Sequence, residues 1–492
     1  MKNQLVSLLE IIKLAEDEKI SEKYIRYICG LDSTKEYRHQ EILDIKNLID
    51  CLNCNSENFD GFIYNYIVPQ LNKEFDLIKI TELDCINIEL KSCHIDEQKI
   101  RNQLIQNKYY LKMLGRENIC LFTYISNENK LYQLIEEELF AVSFDVLINA
   151  LNNKHGQWLD LDDVYTPKNI LVSPLNDTKK FLDGKYILTE HQRNIEIQIE
   201  NYIETNATNY RFAGLTGGPG TGKTLLIYDL TKKLSLSKRI LLVHSGILCD
   251  GHAQLNETLD NVKIISAKDL RLREIKDVDI VVVDESHRLY ENILEKIERW
   301  VKKAKAICLF SYDNNQKLSK AEQERKTSEI IDSLCGKNIY KLTNKIRTNK
   351  ELALFITCLF DLTKYREEYV FNNVKIIYEP NQLQAVAMAK KMDFENEYTY
   401  ITYTPSFYDD ALDYQKTDRN THAVIGQEFE NVCMIIDNNF YYENKKLQAV
   451  THPNPDYLFT KLLYQGLTRV RSKLAIIITE KSILENVLSM FK

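Results

Sequence analysis

Gly217-Gly218-Pro219-Gly220-Thr221-Gly222-Lys223-Thr224 is the stretch of this chain whose residue types and spacing promise the most chemistry. A glycine, four residues, then glycine, lysine and a hydroxyl residue make a loop that cradles phosphate. The glycines let successive backbone N–H groups turn inward, and the following helix offers its positive N-terminal end. Lys223 then reaches the terminal phosphates of a nucleoside triphosphate, and Thr224 can place its hydroxyl on Mg²⁺. A second set serves the same reaction. Asp279-Ile-Val-Val-Val-Asp284-Glu285-Ser286-His287 delivers two carboxylates at the end of an apolar run. Asp284 would hold the Mg²⁺, and Glu285 would orient or deprotonate the attacking water. A third set lies far upstream, at Asp76, Glu89 and Lys91. Two carboxylates can hold a divalent ion against a scissile phosphate, while a lysine positions or activates water. The same residues also suit a plain surface ion pair, Glu89 with Lys91, and Asp76 capping a turn.

Each set needs elements to position it. Tyr210–Leu215 is expected as a strand entering the phosphate loop, and Thr224–Leu234 as the helix leaving it. The run from Asp279 is a buried strand whose C-terminal end is where ligands sit in parallel sheets. Upstream, Phe62–Leu71 is expected as a helix, limited by Pro69. Phe75–Ile80 and Ile86–Lys91 are expected as strands of a hairpin folding near residues 82–83. That fold sets Asp76 opposite Glu89 and puts Lys91 on the face of Glu89. An amphipathic helix through Ile100, Leu104, Ile105, Leu111 and Leu114 carries Gln103, a weaker candidate for orienting the same site, before a strand Ile119–Ile125. Glu57 stands just before the first of these expected helices. Residues 1–50 space Leu5, Leu8, Leu9, Ile12 and Leu14 as helices for packing, for a protein partner or for self-association. Beyond Lys337, Val374–Tyr378, Tyr398–Tyr403, Val432–Asp437 and Leu474–Thr479 read as strands of a second parallel α/β unit.

Composition narrows the class. With 492 residues, 44% hydrophobic and 27% charged, the chain can build two to four globular domains. No run of about 18 apolar residues appears, so no membrane span is expected. The early acidic residues Glu10, Glu16, Asp17 and Glu18 do not suit a secretory leader. Eleven scattered cysteines read as reduced thiols of a cytoplasmic protein. Cys51 and Cys54 lack the second pair that a structural zinc site needs, and Cys93-His94 is too distant to supply it by spacing. Met1–Ala150 holds 17 Lys/Arg against 25 Asp/Glu, a balance of −8, while the whole chain carries −7. The remainder is therefore near neutral, and any polyanion must be gripped in a local groove rather than by bulk charge.

Further stretches extend the pattern in order: Leu188–Gln192, Arg239–Gly246, Ala306–Gln316, Leu342–Arg347, Thr421–Phe429 and Tyr464–Arg469. With the phosphate loop and the acidic pair, they resemble eight motifs of superfamily 1 DNA/RNA helicases, most like the compact Schlafen-like group fused to N-terminal nuclease domains. The resemblance implies that Gln192 hydrogen-bonds the adenine edge and that Ser245-Gly246 touches the nucleic-acid backbone. Gln316 would sense the terminal phosphate; Tyr312 would either stack on a base or be buried. Arg347 would point at the phosphates, Gly426 and Glu428 would lie near the nucleotide, Thr421-His422 near nucleic acid, and Arg469 would be the arginine finger. The upstream order of helix, two strands, helix and strand resembles the PD-(D/E)xK nuclease superfamily, with Asp76 and Glu89-Leu90-Lys91 as its motif and Glu57 in the place of its early acidic residue. One departure matters: the two C-terminal units are joined with little inserted sequence. This favours ATP hydrolysis and translocation over duplex unwinding.

The expected fold is therefore α/β: two RecA-like parallel domains behind an N-terminal restriction-endonuclease-like domain. The expected bounds are 1–50 helical segment, 51–140 nuclease-like domain, 141–187 linker, 188–336 first RecA-like domain with the ATP site, and 337–492 second. The expected activity is an ATP-dependent translocase or helicase coupled to a metal-dependent nuclease. It would use ATP, Mg²⁺ and a second divalent ion on single-stranded DNA or RNA, against foreign nucleic acid in bacterial defence. The alternative is an ATP-driven motor or a nucleic-acid sensor or switch whose nuclease-like domain is inactive and serves binding or partner interaction.

Overall fold

A computed structural model describes residues 4–13, 15, 17–30, 37–68, 71, 73–152, 154–166, 172–205, 211–271, 275–313, 317–343, 350–406, 410–450 and 456–491. The chain divides into two compact units, Met1–Ile170 and Leu171–Lys492.

Unit one is a six-stranded sheet in the order β1-β2-β3-β4-β5-β6. Its strands are β1 (Phe62–Val68), β2 (Lys73–Ile80), β3 (Asp84–Lys91), β4 (Asn118–Ile125), β5 (Lys130–Ile135) and β6 (Glu138–Val142). β3 and β4 run parallel, joined by the helix Glu97–Leu111; every other pairing is antiparallel. The expected helix Phe62–Leu71 is instead strand β1. Phe-Ile-Tyr-Asn-Tyr-Ile-Val is β-branched and aromatic, it pairs with β2, and six of its seven residues are buried. Such a short apolar run does not report its own period. The helix that covers this sheet is His39–Cys51, whose Ile42, Ile45 and Leu48 share a core with Phe62, Tyr64, Leu77, Ile88 and Phe122. Val6, Leu8, Ile11 and Ile25 join the same core, so these apolar positions are used internally, while Ile20 and Tyr27 remain exposed.

Unit two holds two parallel sheets. The first runs β12-β7-β11-β10-β8-β9, from β7 (Arg211–Gly217), β8 (Ile240–His244), β9 (Val262–Ser266), β10 (Ile280–Asp284), β11 (Ile307–Tyr312) and β12 (Ile339–Leu342). Apolar clusters cover both of its faces, which is why β10 reads as unbroken Ile and Val. The second sheet runs β13-β18-β15-β14, from β13 (Val374–Tyr378), β14 (Thr399–Tyr400), β15 (Phe429–Ile436) and β18 (Val470–Ile478). A hairpin of β16 (Phe440–Glu443) and β17 (Lys446–Ala449) accompanies it. Two stretches depart from the expected bounds. β12 lies beyond residue 336 yet pairs with β7, so the first lobe extends to Leu342. Residues 141–187 carry ordered elements: Phe144–Leu151 buries Leu147 and Leu151 in the core of unit one, and Thr178–Leu182 buries Phe181 in that of unit two. Among the described residues no helix is long and apolar enough to cross a membrane.

Candidate functional site

The phosphate loop leaves β7 at Gly217 and enters the helix Lys223–Leu234. Gly220 and Gly222 adopt φ of +74° and +85°, the left-handed region open to glycine. Gly217 is needed for another reason. A Cβ there would fall 2.7 Å from the Leu342 carbonyl oxygen and 2.8 Å from Thr221 Oγ1. Thr221 Oγ1 donates to the Gly218 carbonyl at 2.9 Å and pins the loop. The Lys223 ammonium donates to the carbonyls of Gly217 (2.7 Å) and Gly218 (3.1 Å) and lies 3.6 Å from Asp313 Oδ2. Thr224 is buried beside it, and Pro219 is half-buried. Gln192, expected at the adenine edge, is largely engaged by the chain itself. Its Oε1 accepts from the Thr189 N–H at 2.9 Å in a capping box, and its Nε2 donates to the Thr221 carbonyl at 3.3 Å.

β10 delivers the acidic pair to the same end of the sheet. Asp284 Oδ1 accepts from the Glu285 N–H at 3.0 Å, and its Oδ2 lies 3.2 Å from His244 Nδ1, at the end of β8. Glu285 sits at φ +55°, a costly conformation for a residue with a Cβ and one found at functional sites. Its Oε2 is buried without a hydrogen-bond partner, 3.5 Å from His287 Nε2 and 3.8 Å from Arg288 Nε. Burial works against its charge, but His287, Arg288, Lys223 and Arg469 outweigh burial and hold it at about 2. Glu285 is thus ionised at neutral pH. His287 Nδ1 accepts from the Asp313 N–H at 3.2 Å, which leaves the imidazole proton on Nε2, facing Glu285. Burial lowers His287 to about 4, so the ring is neutral.

The second lobe brings Arg469 to this place. Its Nε donates to the Gln465 carbonyl at 3.2 Å and its Nη1 to the Gln427 carbonyl at 3.3 Å. Only 6% of the residue is exposed; burial opposes its charge, and Glu285 and Glu428 favour it. Lys223 from one lobe and Arg469 from the other therefore act on one carboxylate. Gly426 turns at φ +78°, with room for a Cβ only at 3.3 Å from Leu175 Cδ1 and 3.5 Å from His244 Cε1. Glu428 Oε2 accepts from Arg471 Nε at 3.3 Å. Gln316 and Arg347 lie outside the described residues. His244, His287, Arg288 and Asp313 carry no assigned role in the sequence reading. Their spacing gives no motif, since the Asp313–His287 contact spans 26 residues and the Arg288–Glu322 pair 34.

Beside the acidic pair opens a cavity of about 650 Å³, lined by Ser245, Gly246, Lys268, Tyr290, Arg325 and His422 among others. Arg325 lies over the Tyr290 ring at 3.7 Å from its centroid, and Tyr290 is 49% exposed. His422 contacts the Tyr457 hydroxyl at 3.3 Å. Tyr312 is not part of this groove: it is buried and donates to Asp332.

In unit one the register Leu77↔Ile88 and Ile78↔Asn87 sets Asp76 across from Glu89, as the hairpin expectation requires. Asp76 Oδ2 accepts from the Leu90 N–H at 2.8 Å. Burial raises its carboxyl well above the usual range, Glu89 adds to this, and Lys91 opposes it. Glu89 is 1% exposed. Its Oε1 accepts from Asn107 (2.8 Å) and Asn87 (3.1 Å), its Oε2 accepts from Gln103, and Lys91 Nζ is 3.9 Å away. Gln103 is therefore on the site, and Asn107, one helical turn on, joins it. Glu57 lies in the turn Ser56–Phe59; the helical carboxylate that bears on Asp76 is Glu41. Two neighbouring buried carboxyl groups are the kind of donors a divalent cation takes, although no group of three or more His, Cys, Asp or Glu residues gathers as a ligand set among the described residues.

One comparison bears on the lobe that holds the phosphate loop. Residues 212–394 match the family model of the Schlafen group 3 DNA/RNA helicase domain. The match spans the phosphate loop and acidic pair and ends at Phe394, ahead of the Thr421–Phe429 and Tyr464–Arg469 stretches. It supports a superfamily 1 helicase and, with it, nucleic-acid binding. Among solved structures, the chain is similar to one described as "Structural Basis for DNA Unwinding at Forked dsDNA by two coordinating Pif1 helicases". Identity is 15%, coverage 60% of this chain and 92% of that one, and the TM-score 0.33. It is also similar to the Hef helicase domain of Pyrococcus furiosus, at 13% identity over 42% of this chain and 47% of that one, with a TM-score of 0.24. No curated protein matches.

Proposed function

We propose that this chain is a nucleic-acid-stimulated ATPase that moves along single-stranded DNA or RNA, joined to a metal-dependent nuclease. The convergence of Lys223 and Arg469 on Glu285 carries the reading. The phosphates of ATP fit the backbone N–H groups of residues 220–222 at the start of the Lys223 helix. Lys223 exchanges its two carbonyl acceptors for the terminal phosphates. Mg²⁺, held by Thr224 and Asp284, neutralises phosphate charge when bound. Glu285 Oε2 takes the proton of the attacking water as the new P–O bond forms and the bond to the bridging oxygen breaks. His287 Nε2–H keeps that carboxylate in place. Arg469 stabilises the charge on the transferring phosphoryl group. Closing and opening of the two lobes then shifts the grip on a strand lying in the groove by Ser245, Tyr290 and His422.

Asp76, Glu89 and Lys91 form the proposed nuclease centre, with a divalent ion held by the two carboxylates and water activated beside Lys91. The helix, three strands, helix and strand of unit one support this assignment. In this reading the protein works in the cytoplasm on foreign nucleic acid. A Lys223→Ala protein that hydrolyses ATP at the parent rate, with nucleic acid present, overturns the motor. One observation favours a second reading, a nuclease-like unit that only binds: three amides already occupy the Glu89 oxygens. Cleavage of labelled single- and double-stranded DNA and RNA with Mg²⁺ or Mn²⁺, parent against Glu89→Ala, separates the two. Metal-dependent products that vanish in the variant favour the nuclease.

A further inference from the structure

Residues 172–177, expected as part of a linker, are folded against both lobes of unit two. The turn is fixed locally. The Asp177 N–H donates to the Ser173 carbonyl at 2.8 Å, Asp177 Oδ2 accepts from the Ser173 N–H at 3.2 Å, and Thr178 Oγ1 donates to the Pro174 carbonyl at 2.8 Å. Three consecutive side chains then reach the second lobe. Leu175 belongs to the first lobe's core, its carbonyl would stand 2.1 Å from a Cβ on Gly251, and its Cδ1 faces Gly426. Asn176 Nδ2 donates to Gln427 Oε1 at 3.2 Å, and its Oδ1 accepts from the Glu428 N–H at 2.9 Å. Asp177 Oδ2 accepts from Arg471 Nη1 at 2.9 Å, and Arg471 Nε donates to Glu428. Arg471 is 6% exposed, so this ion pair is sheltered from solvent on the arginine side.

The turn 426–428 that these residues grip also holds the arginine finger. Arg469 donates to the Gln427 carbonyl, and the Phe429 N–H donates to the Arg469 carbonyl at 2.9 Å. We propose that Leu175-Asn176-Asp177 is a clasp that positions Arg469 over the phosphate cradle through the 426–428 turn and Arg471. This rests on the proposed ATPase reading. The clasp touches neither the loop 217–224 nor the acidic pair in any contact described above. Acting through Arg469, it bears first on the rate of hydrolysis and less on the affinity for nucleotide. Asn176 and Asp177 are positioning residues: they act through Arg469.

The test uses the full-length chain with saturating single-stranded nucleic acid. ATPase kcat and KM and the affinity for a fluorescent ADP are measured for the parent, Asn176→Ala, Asp177→Ala and Asp177→Asn, each in the parent and in the Arg469→Lys background. The clasp predicts that kcat of Asp177→Ala falls roughly tenfold or more while ADP affinity stays within about threefold. In the Arg469→Lys background the same change costs less than about twofold, because the group it positions is already displaced. Asp177→Asn keeps the shape and guards against a folding defect, with thermal unfolding as the check. Parent kcat in all three variants, or equal losses in both backgrounds, overturns the clasp alone. A parent without ATPase activity overturns the motor and the clasp together.

Discussion

In the proposed reaction a few atoms around Glu285 decide the outcome. The residue's left-handed backbone turns the side chain out of the sheet, and four cationic or hydrogen-bearing neighbours hold it ionised in a buried place. Glu285→Gln keeps the shape and removes the base. Its kcat should fall by roughly a hundredfold to ten-thousandfold while ADP binding survives; steady-state ATPase and nucleotide titration check this. The elements that carry Lys223, Thr224, Asp284 and Glu285 were legible in the sequence because loop chemistry is local and glycine spacing has few other uses. Gln192 was placed at adenine, yet its carboxamide serves the helix cap and the Thr221 carbonyl. His287, Asp313, Arg288 and Glu322 were not legible, because each meets its partner only after the sheet is folded.

At the scale of elements, strands with a clear setting were found and short apolar runs were not. β7, β10 and the β2–β3 hairpin follow from turns and flanking chemistry. β1 was expected as a helix because Phe62–Val68 is too short to show a period, and only pairing with β2 decides it. β12 falls inside the range expected for the second lobe yet pairs with β7, because a strand's partner is not written in its own residues. Close backbone approaches are equally silent. A Cβ on Gly156 would stand 2.4 Å from the Gly61 carbonyl oxygen, where Gly61 itself has φ +77°. Gly156→Ala should therefore destabilise unit one by about 1–3 kcal/mol, read from its denaturant midpoint. A midpoint equal to the parent's contradicts that packing.

For the whole molecule, three imidazoles in unit two, buried His252 and His287 and half-buried His422, set a pH dependence. Burial lowers His252 to about 2, and His287 and His422 to about 4, against an ordinary value near 6.5. Each stays neutral when folded but gains a proton when unfolded, so its contribution to stability is present above about pH 6.5 and lost as pH falls towards 4. Each adds about 1.4 kcal/mol per pH unit to the slope in that window. Melting temperature measured from pH 7.5 to 5 should drop steeply, and less steeply in His422→Gln; a flat profile contradicts the neutral rings. The chain's two acid-rich centres lie in separate compact units. Their motifs were legible one by one, whereas the clasp at residues 175–177 was read as linker because polar, proline-containing sequence looks alike in a tether and in a tight turn.

The most direct measurement is nucleic-acid-stimulated ATP turnover by Arg469→Ala beside its affinity for ADP. A finger that completes the site from the second lobe predicts a loss on the order of a thousandfold in kcat, with ADP affinity within about threefold of the parent. Parent turnover in Arg469→Ala would contradict a reaction carried out between two lobes.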